Sequence, residues 1–185
     1  KKNYPMLHFE KGDKKIDFKC IKELIGNGVP MALQCSITAV GSVMLQSCVN
    51  TLGSNAIAAM TIGGKTQLMI VLPSETIGIT MATYCGQNLG AKKYERIKQG
   101  VLSGTILGIL YSFAAFFIAR YLGSYIGLLF IDASETAVLS LAQRFLDTCS
   151  WFYPVLSFIF IYRNALQGLG YGTTAMFAGF FELAA

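Results

Sequence analysis

The sequence predicts an all-α polytopic membrane protein, a bundle with four complete transmembrane helices and part of a fifth. Three observations carry this reading. Charged residues make up 14% of the 185 positions, against about 25% in an average soluble domain. The mean hydropathy is +0.52, and Gly100 to Ala119 holds no charge in twenty residues, about what one helix needs to cross the hydrocarbon. The remaining charge is clustered: seven of fifteen basic residues lie in Lys1–Lys22, and Lys92, Lys93, Arg96 and Lys98 crowd one short segment. Lys and Arg are retained on the cytoplasmic side of membranes. The net charge of +5 therefore marks topology rather than a nucleic-acid partner. A soluble helical core would instead alternate polar and apolar faces.

Lys1 to Glu23 carries seven basic and four acidic residues and reads as a cytoplasmic linker. His8 is a solvated bystander in it, and Asp17 is placed to cap a helix that starts at Phe18. The first span runs from about Leu24 to Val49. Gln34, Ser36, Thr38, Ser42, Gln46 and Ser47 interrupt it, and such residues let helices approach closely and bond across the contact. This helix belongs inside a bundle or beside a wet cavity, with Pro30 a candidate bend. Asn50–Asn55 is a short external turn.

The second span, Ala56 to Tyr84, carries a Gly63-Gly64-Lys65 break, Pro73, and the two ionisable groups deepest in any complete span, Lys65 and Glu75. Each lies about 8 Å from the midpoint of a helix about 45 Å long. Charges at that depth face the bundle interior or water. The two are about 80° apart around the helix, so they do not pair with each other. The structural alternative is that each hydrogen-bonds a neighbouring helix and holds the bundle together; for Gln34, Thr38 and Gln46 interhelical packing is the competing role.

Gly86-Gln87-Asn88-Leu89-Gly90-Ala91 through Arg96 is a polar loop, topological and structural rather than substrate-binding. It lacks the Gly-Lys-Ser/Thr of a phosphate loop. The third span, Val101 to Ala119, is of a plain lipid-facing type. Asp132-Ala-Ser-Glu135 has capping-box spacing and predicts the start of one helix over Ser134–Gln167, with Trp151, Phe152, Tyr153 and Pro154 near an interface. Gly168–Gly172 turns into a last span that stops after thirteen residues. With Lys as the first residue, this predicts a fragment of a longer chain. Residues 1–23 and 86–98 are placed in the cytoplasm, and the protein in the plasma membrane. Five scattered cysteines and a single histidine give neither a disulfide framework nor a zinc site.

Two stretches carry a resemblance. Gly86-Gln-Asn-Leu-Gly-Ala-Lys-Lys-Tyr-Glu-Arg96 resembles the loop after the second helix of each half in the multidrug and toxic compound extrusion (MATE) transporters. Arg163-Asn-Ala-Leu-Gln-Gly-Leu-Gly170, followed by Phe180-Phe-Glu-Leu183, resembles the fourth-to-fifth helix segment of their C-terminal half. The resemblance implies one lobe of a two-lobe, twelve-helix antiporter, with residues 1–23 as the interlobe linker and 24–185 as most of the C-terminal lobe. It implies export of organic, mostly cationic compounds in exchange for Na⁺ or H⁺, with no cofactor and with need of the N-terminal lobe. Members with coupling carboxylates in this lobe carry a Glu on its first helix and an Asp on its fourth. Pro30–Gln46 and Trp151–Gln167 contain no carboxylate. The ion site is then expected in the other lobe, unless Glu75 substitutes.

Lys65, Glu75, Gln34 and Thr38 are thus the candidate pathway residues. A lipid-linked oligosaccharide exporter of related fold is the second function class, and it needs a more basic cavity than one buried cation supplies. A membrane enzyme needs a nucleophile–base or metal cluster near an interface, which this sequence does not offer.

Overall fold

The computed structural model describes residues 17–174 and 176–177. His8, the rest of the linker up to Ile16, and the Phe180–Leu183 stretch with Glu182 lie outside the described residues. Five helices follow one another: α1 Phe18–Asn50, α2 Ser54–Gly90, α3 Tyr94–Gly127, α4 Thr136–Ser150 and α5 Tyr153–Gly168. α1, α2 and α3 are each long and apolar enough to span a bilayer, and α4 with α5, taken together as one bent span, would make a fourth. The protein is a multi-pass membrane helical bundle.

Asp17 caps α1 as its position predicts. Its carboxylate accepts a bond from the Lys19 amide at 2.8 Å, and that bond holds its pKa below the usual value. Pro30 stays inside a continuous α1. The hydroxyls of the first span do not reach across to other helices. Ser36, Thr38, Ser42 and Ser47 each donate to the carbonyl one turn earlier, which satisfies them within their own helix.

Three expectations need correction. The Gly63-Gly64 pair does not break the second helix, because α2 runs unbroken for 37 residues. Gly63 serves packing: a methyl group there would sit 2.8 Å from the Phe145 ring of α4. The stretch from Gly86 to Arg96 is mostly helical. Gly86–Gly90 is the last turn of α2, and the connection is only Ala91–Lys93. It reverses the chain with Lys92 at φ 56, and the Asn88 carbonyl accepts from the Lys93 amide at 2.9 Å.

The third correction is that the fourth span is two helices, meeting at 58° across Trp151 and Phe152. Pro154 explains the break, because it lacks the amide that would bond back to Ser150. Tyr153 is consequently not an interface anchor. It is buried against Ile70, which lies close to the middle of α2, with Ala115 and Ala119 of α3. At the start of α4, Asp132 accepts from the Ser134 amide at 3.0 Å, and this bond lowers its pKa. The helix begins only at Thr136, so Asp132 shapes the preceding turn rather than closing a capping box.

α2 is the hub, packing on α3, α4, α5 and α1. Against α5 the approach is backbone to backbone. A methyl on Gly78 would lie 2.8 Å from the Phe160 carbonyl, and one on Gly168 would collide with Ala82. Small residues permit this contact, which lipid surroundings reward through dispersion. α3 and α4 are tied by Gln143, whose amide donates to the Ala119 carbonyl at 3.0 Å and to Asp147 at 2.8 Å. The buried hydroxyls of Thr66, Tyr153 and Ser157 have no hydrogen-bond partner among the described residues.

Candidate functional site

A cavity of about 660 Å³ opens between α1, α2 and α5, within the range of about 300–1,000 Å³ typical of small-molecule sites. Gln34 and Thr38 of α1, Glu75 of α2, and Arg163, Asn164 and Gln167 of α5 supply much of its polar lining, with Met31, Ile79, Leu156 and Phe160 among its apolar walls. Three of the four residues singled out from the sequence therefore meet in one place.

Glu75 is half-buried, and its position follows from helix length. α2 is about 55 Å long at 1.5 Å per residue, so Glu75 lies only about 4–5 Å along the axis from its centre. Lys65 lies about 10 Å from that centre on the other side, towards the Thr51–Gly53 end. It does not line the cavity. Its side chain is exposed and its ammonium sits 5.5 Å from the centroid of the Phe130 ring, in the connection after α3.

At the cavity edge Gln34 is buried to 4% exposure and bridges to α5. In one orientation of the Gln34 amide, the Gln167 amide nitrogen donates to the Gln34 oxygen at 3.0 Å. With the Gln34 amide turned, its oxygen accepts from Arg163 Nε and Nη1 at 3.2 and 3.1 Å, and its nitrogen faces the Gln167 amide at 3.0 Å. The turned orientation is preferred, since it sets an acceptor, not a donor, against the guanidinium. Arg163 also packs over Phe160, 5.5 Å from the ring centroid. Asn164 donates to the Phe160 carbonyl at 2.7 Å. Gln34 and Pro30 are the buried residues of α1, so this clasp is where the helix is anchored to the lobe.

Arg163, Asn164 and Gln167 were passed over as site residues in the sequence reading. The signal was available: three polar residues at i, i+1 and i+4 on one side of an apolar span. The turn motif is built for a different task. Asn88 is buried and donates to the Tyr84 carbonyl at 2.8 Å. Gly86 gives room for the Gly168 carbonyl, 3.2 Å from where its Cβ would stand. Gln87, Gly90, Ala91 and Arg96 are exposed at that end of the bundle. None of the six lines the cavity.

A pocket with one carboxylate, several amides and apolar walls can hold a hydrated ion or an amphipathic organic molecule, replacing water with fixed dipoles. Among the described residues there is no His, Cys, Asp and Glu cluster of metal-binding geometry. Comparison with known proteins agrees with this membrane setting. The Probable multidrug resistance protein YoeA of Bacillus subtilis (strain 168) is 27% identical over 156 residues, covering 83% of this chain and 33% of that protein. The chain thus spans about a third of the length of this curated relative. The family model described as MatE matches residues 30–184, from Pro30 of α1 through all of α2–α5. On that match the chain belongs to the MatE family.

Proposed function

We propose that this chain is most of the C-terminal lobe of a two-lobe multidrug efflux antiporter, and that the α1–α2–α5 cavity is its share of the substrate and ion pathway. The observation that carries the reading is Glu75, a carboxylate near the centre of a spanning helix that opens on a cavity with Gln34 and Thr38. Keeping a carboxylate ionised at such depth is costly unless a cation or water reaches it. As access alternates, the group can take up a proton, Na⁺ or a cationic substrate on one side and release it on the other. The substrates are then organic, mostly cationic compounds, and the second lobe completes the passage. Residues 1–23 and the Ala91–Lys93 end of the bundle face the cytoplasm, and the membrane is the plasma membrane. Lys65 lies away from this cavity, about 10 Å from the centre of α2 on the other side. A single guanidinium held by an amide and an aromatic ring matches a pyrophosphate headgroup poorly, so drug export is preferred to lipid-linked sugar export.

The test is Glu75→Gln in the intact transporter. Efflux of a cationic dye should fall at least about tenfold, in line with about 1.5–3 kcal/mol for a hydrogen bond to a charged group, while membrane abundance stays near normal. Efflux at the wild-type rate would remove Glu75 from the pathway.

A further inference from the structure

A second concave site lies on a different face of the bundle. Between α2 and α3 a groove of about 490 Å³ runs inward from the Ala91–Lys93 end, with Gly100 and Gly104 among the residues that line it. Gly100 brings α3 against the Tyr84 ring, and a methyl at Gly104 would lie 2.8 Å from the Met81 sulfur. Its walls are largely apolar, with Leu107 at the deep end and Thr80, Gln99 and Ser103 along the sides.

The depth of the groove matches one leaflet. Gln99 to Leu107 covers about 12 Å of helix rise, against about 15 Å for half of a hydrocarbon core about 30 Å thick. With the charge-free run from Gly100 taken as the span, Gln99 falls at the membrane boundary and Leu107 among acyl chains.

The mouth of the groove is basic. Arg96 is three residues before Gln99 and four before Gly100, hence one turn above them on the same face of α3. Its carbonyl accepts a bond from the Tyr84 hydroxyl at 3.2 Å, which fixes the rim where the two helices meet. Lys92 and Lys93 occupy the turn just beyond. Lys98 is held by Glu95 at 3.0 Å and contributes less free charge.

We infer that this groove is a binding site for an anionic phospholipid, with one acyl chain between α2 and α3 and the phosphate at Arg96. The guanidinium offers paired donors to phosphate oxygens, and Lys92 and Lys93 add the long-range attraction that draws anionic lipid to basic segments at a membrane surface. The charge at the mouth selects the headgroup, and the apolar walls admit the chain. The site is separate from the efflux cavity and stands whether or not Glu75 is a pathway residue.

The experiment uses the intact transporter in nanodiscs of phosphatidylcholine containing a minor share of phosphatidylglycerol, with lipid retention read by native mass spectrometry. Phosphatidylglycerol should be retained in preference to phosphatidylcholine. Arg96→Gln should weaken its retention about fivefold, the effect of roughly 1 kcal/mol per basic residue. Ser103→Trp, which fills the groove without changing charge, should abolish the preference; should that variant fail to accumulate, Leu107→Phe serves the same purpose. Equal retention of the two lipids, or a preference that survives both the charge and the filling variants, would overturn the assignment. A spin label at Ser103 adds an independent reading. Broadening by oxygen, the apolar relaxant, is expected of a groove facing lipid, and a shielded label would mean that protein covers the groove and no lipid binds there.

Discussion

At the residue scale, the glycines of this chain divide by what a methyl group would strike. At Gly63 the obstacle is the edge of the Phe145 ring, a side chain that can turn. At Gly168 it is the backbone of Ala82 in α2, which cannot move without displacing a spanning helix. Gly168→Ala should therefore lower stability by about 1–3 kcal/mol, the usual cost of overpacking, while Gly63→Ala should cost clearly less. Thermal unfolding of the detergent-solubilised intact protein, followed by tryptophan fluorescence, compares the two. Equal shifts would show that the α2–α5 backbone approach is not the tight contact it is taken to be. Composition and motif spacing placed Gly168 in a turn but gave no hint of this contact, because helix–helix register is a tertiary property.

At the scale of elements, α1 differs from the other spans. Val40, Val43, Met44 and Leu45 are all more than half exposed, and Pro30 and Gln34 are the residues it buries. A helix anchored at one polar clasp is the one that can move against its lobe. With Cys at positions 34 and 167 in a cysteine-less intact transporter, bridging by a short bis-thiosulfonate should stop efflux, and reduction should restore it. Efflux that continues at full rate in the bridged protein would show that the clasp stays closed throughout the cycle.

The elements also show what could and could not be read in advance. Hydropathy and charge located the three long apolar helices and the bent α4–α5 pair, since a spanning helix must satisfy its backbone internally over about twenty apolar residues. The break in the fourth crossing was missed because Trp, Phe and Tyr beside Pro154 look the same at an interface as at a mid-membrane kink. Gln34, Thr38 and Glu75 were legible because polar groups stand out in apolar spans. Arg163 was not, since in the sequence it stands out only as the first residue of the Arg163–Gly170 motif, and helix register is what turns it towards the cavity.

At the scale of the whole molecule, the proposed orientation rests on the basic turn between α2 and α3. Single cysteines at Lys93 and Ser54 of an intact, cysteine-less protein should react with an impermeant maleimide from opposite sides of the membrane. Labelling of both from one side would overturn the topology. The charges of the α1–α2–α5 cavity stand apart from those at the surface: Glu75 and Arg163 both line the cavity, while Lys92, Lys93 and Arg96 lie at the end of the bundle.

The partnerless hydroxyls of Thr66, Tyr153 and Ser157 bear on how this protein is best prepared for the laboratory. A buried donor without an acceptor costs about 1–3 kcal/mol relative to an apolar group of the same shape. Tyr153→Phe removes one such group and leaves the ring in its contact with Ile70 and Ala119. The variant should melt several degrees higher than the parent in a thermal-shift measurement, and Thr66→Val should add to it. A lower melting temperature would mean that the hydroxyl already has a bound water. Conformational engineering for crystallisation or cryo-electron microscopy would then begin in the centre of the bundle, at three oxygen atoms, rather than on its surface.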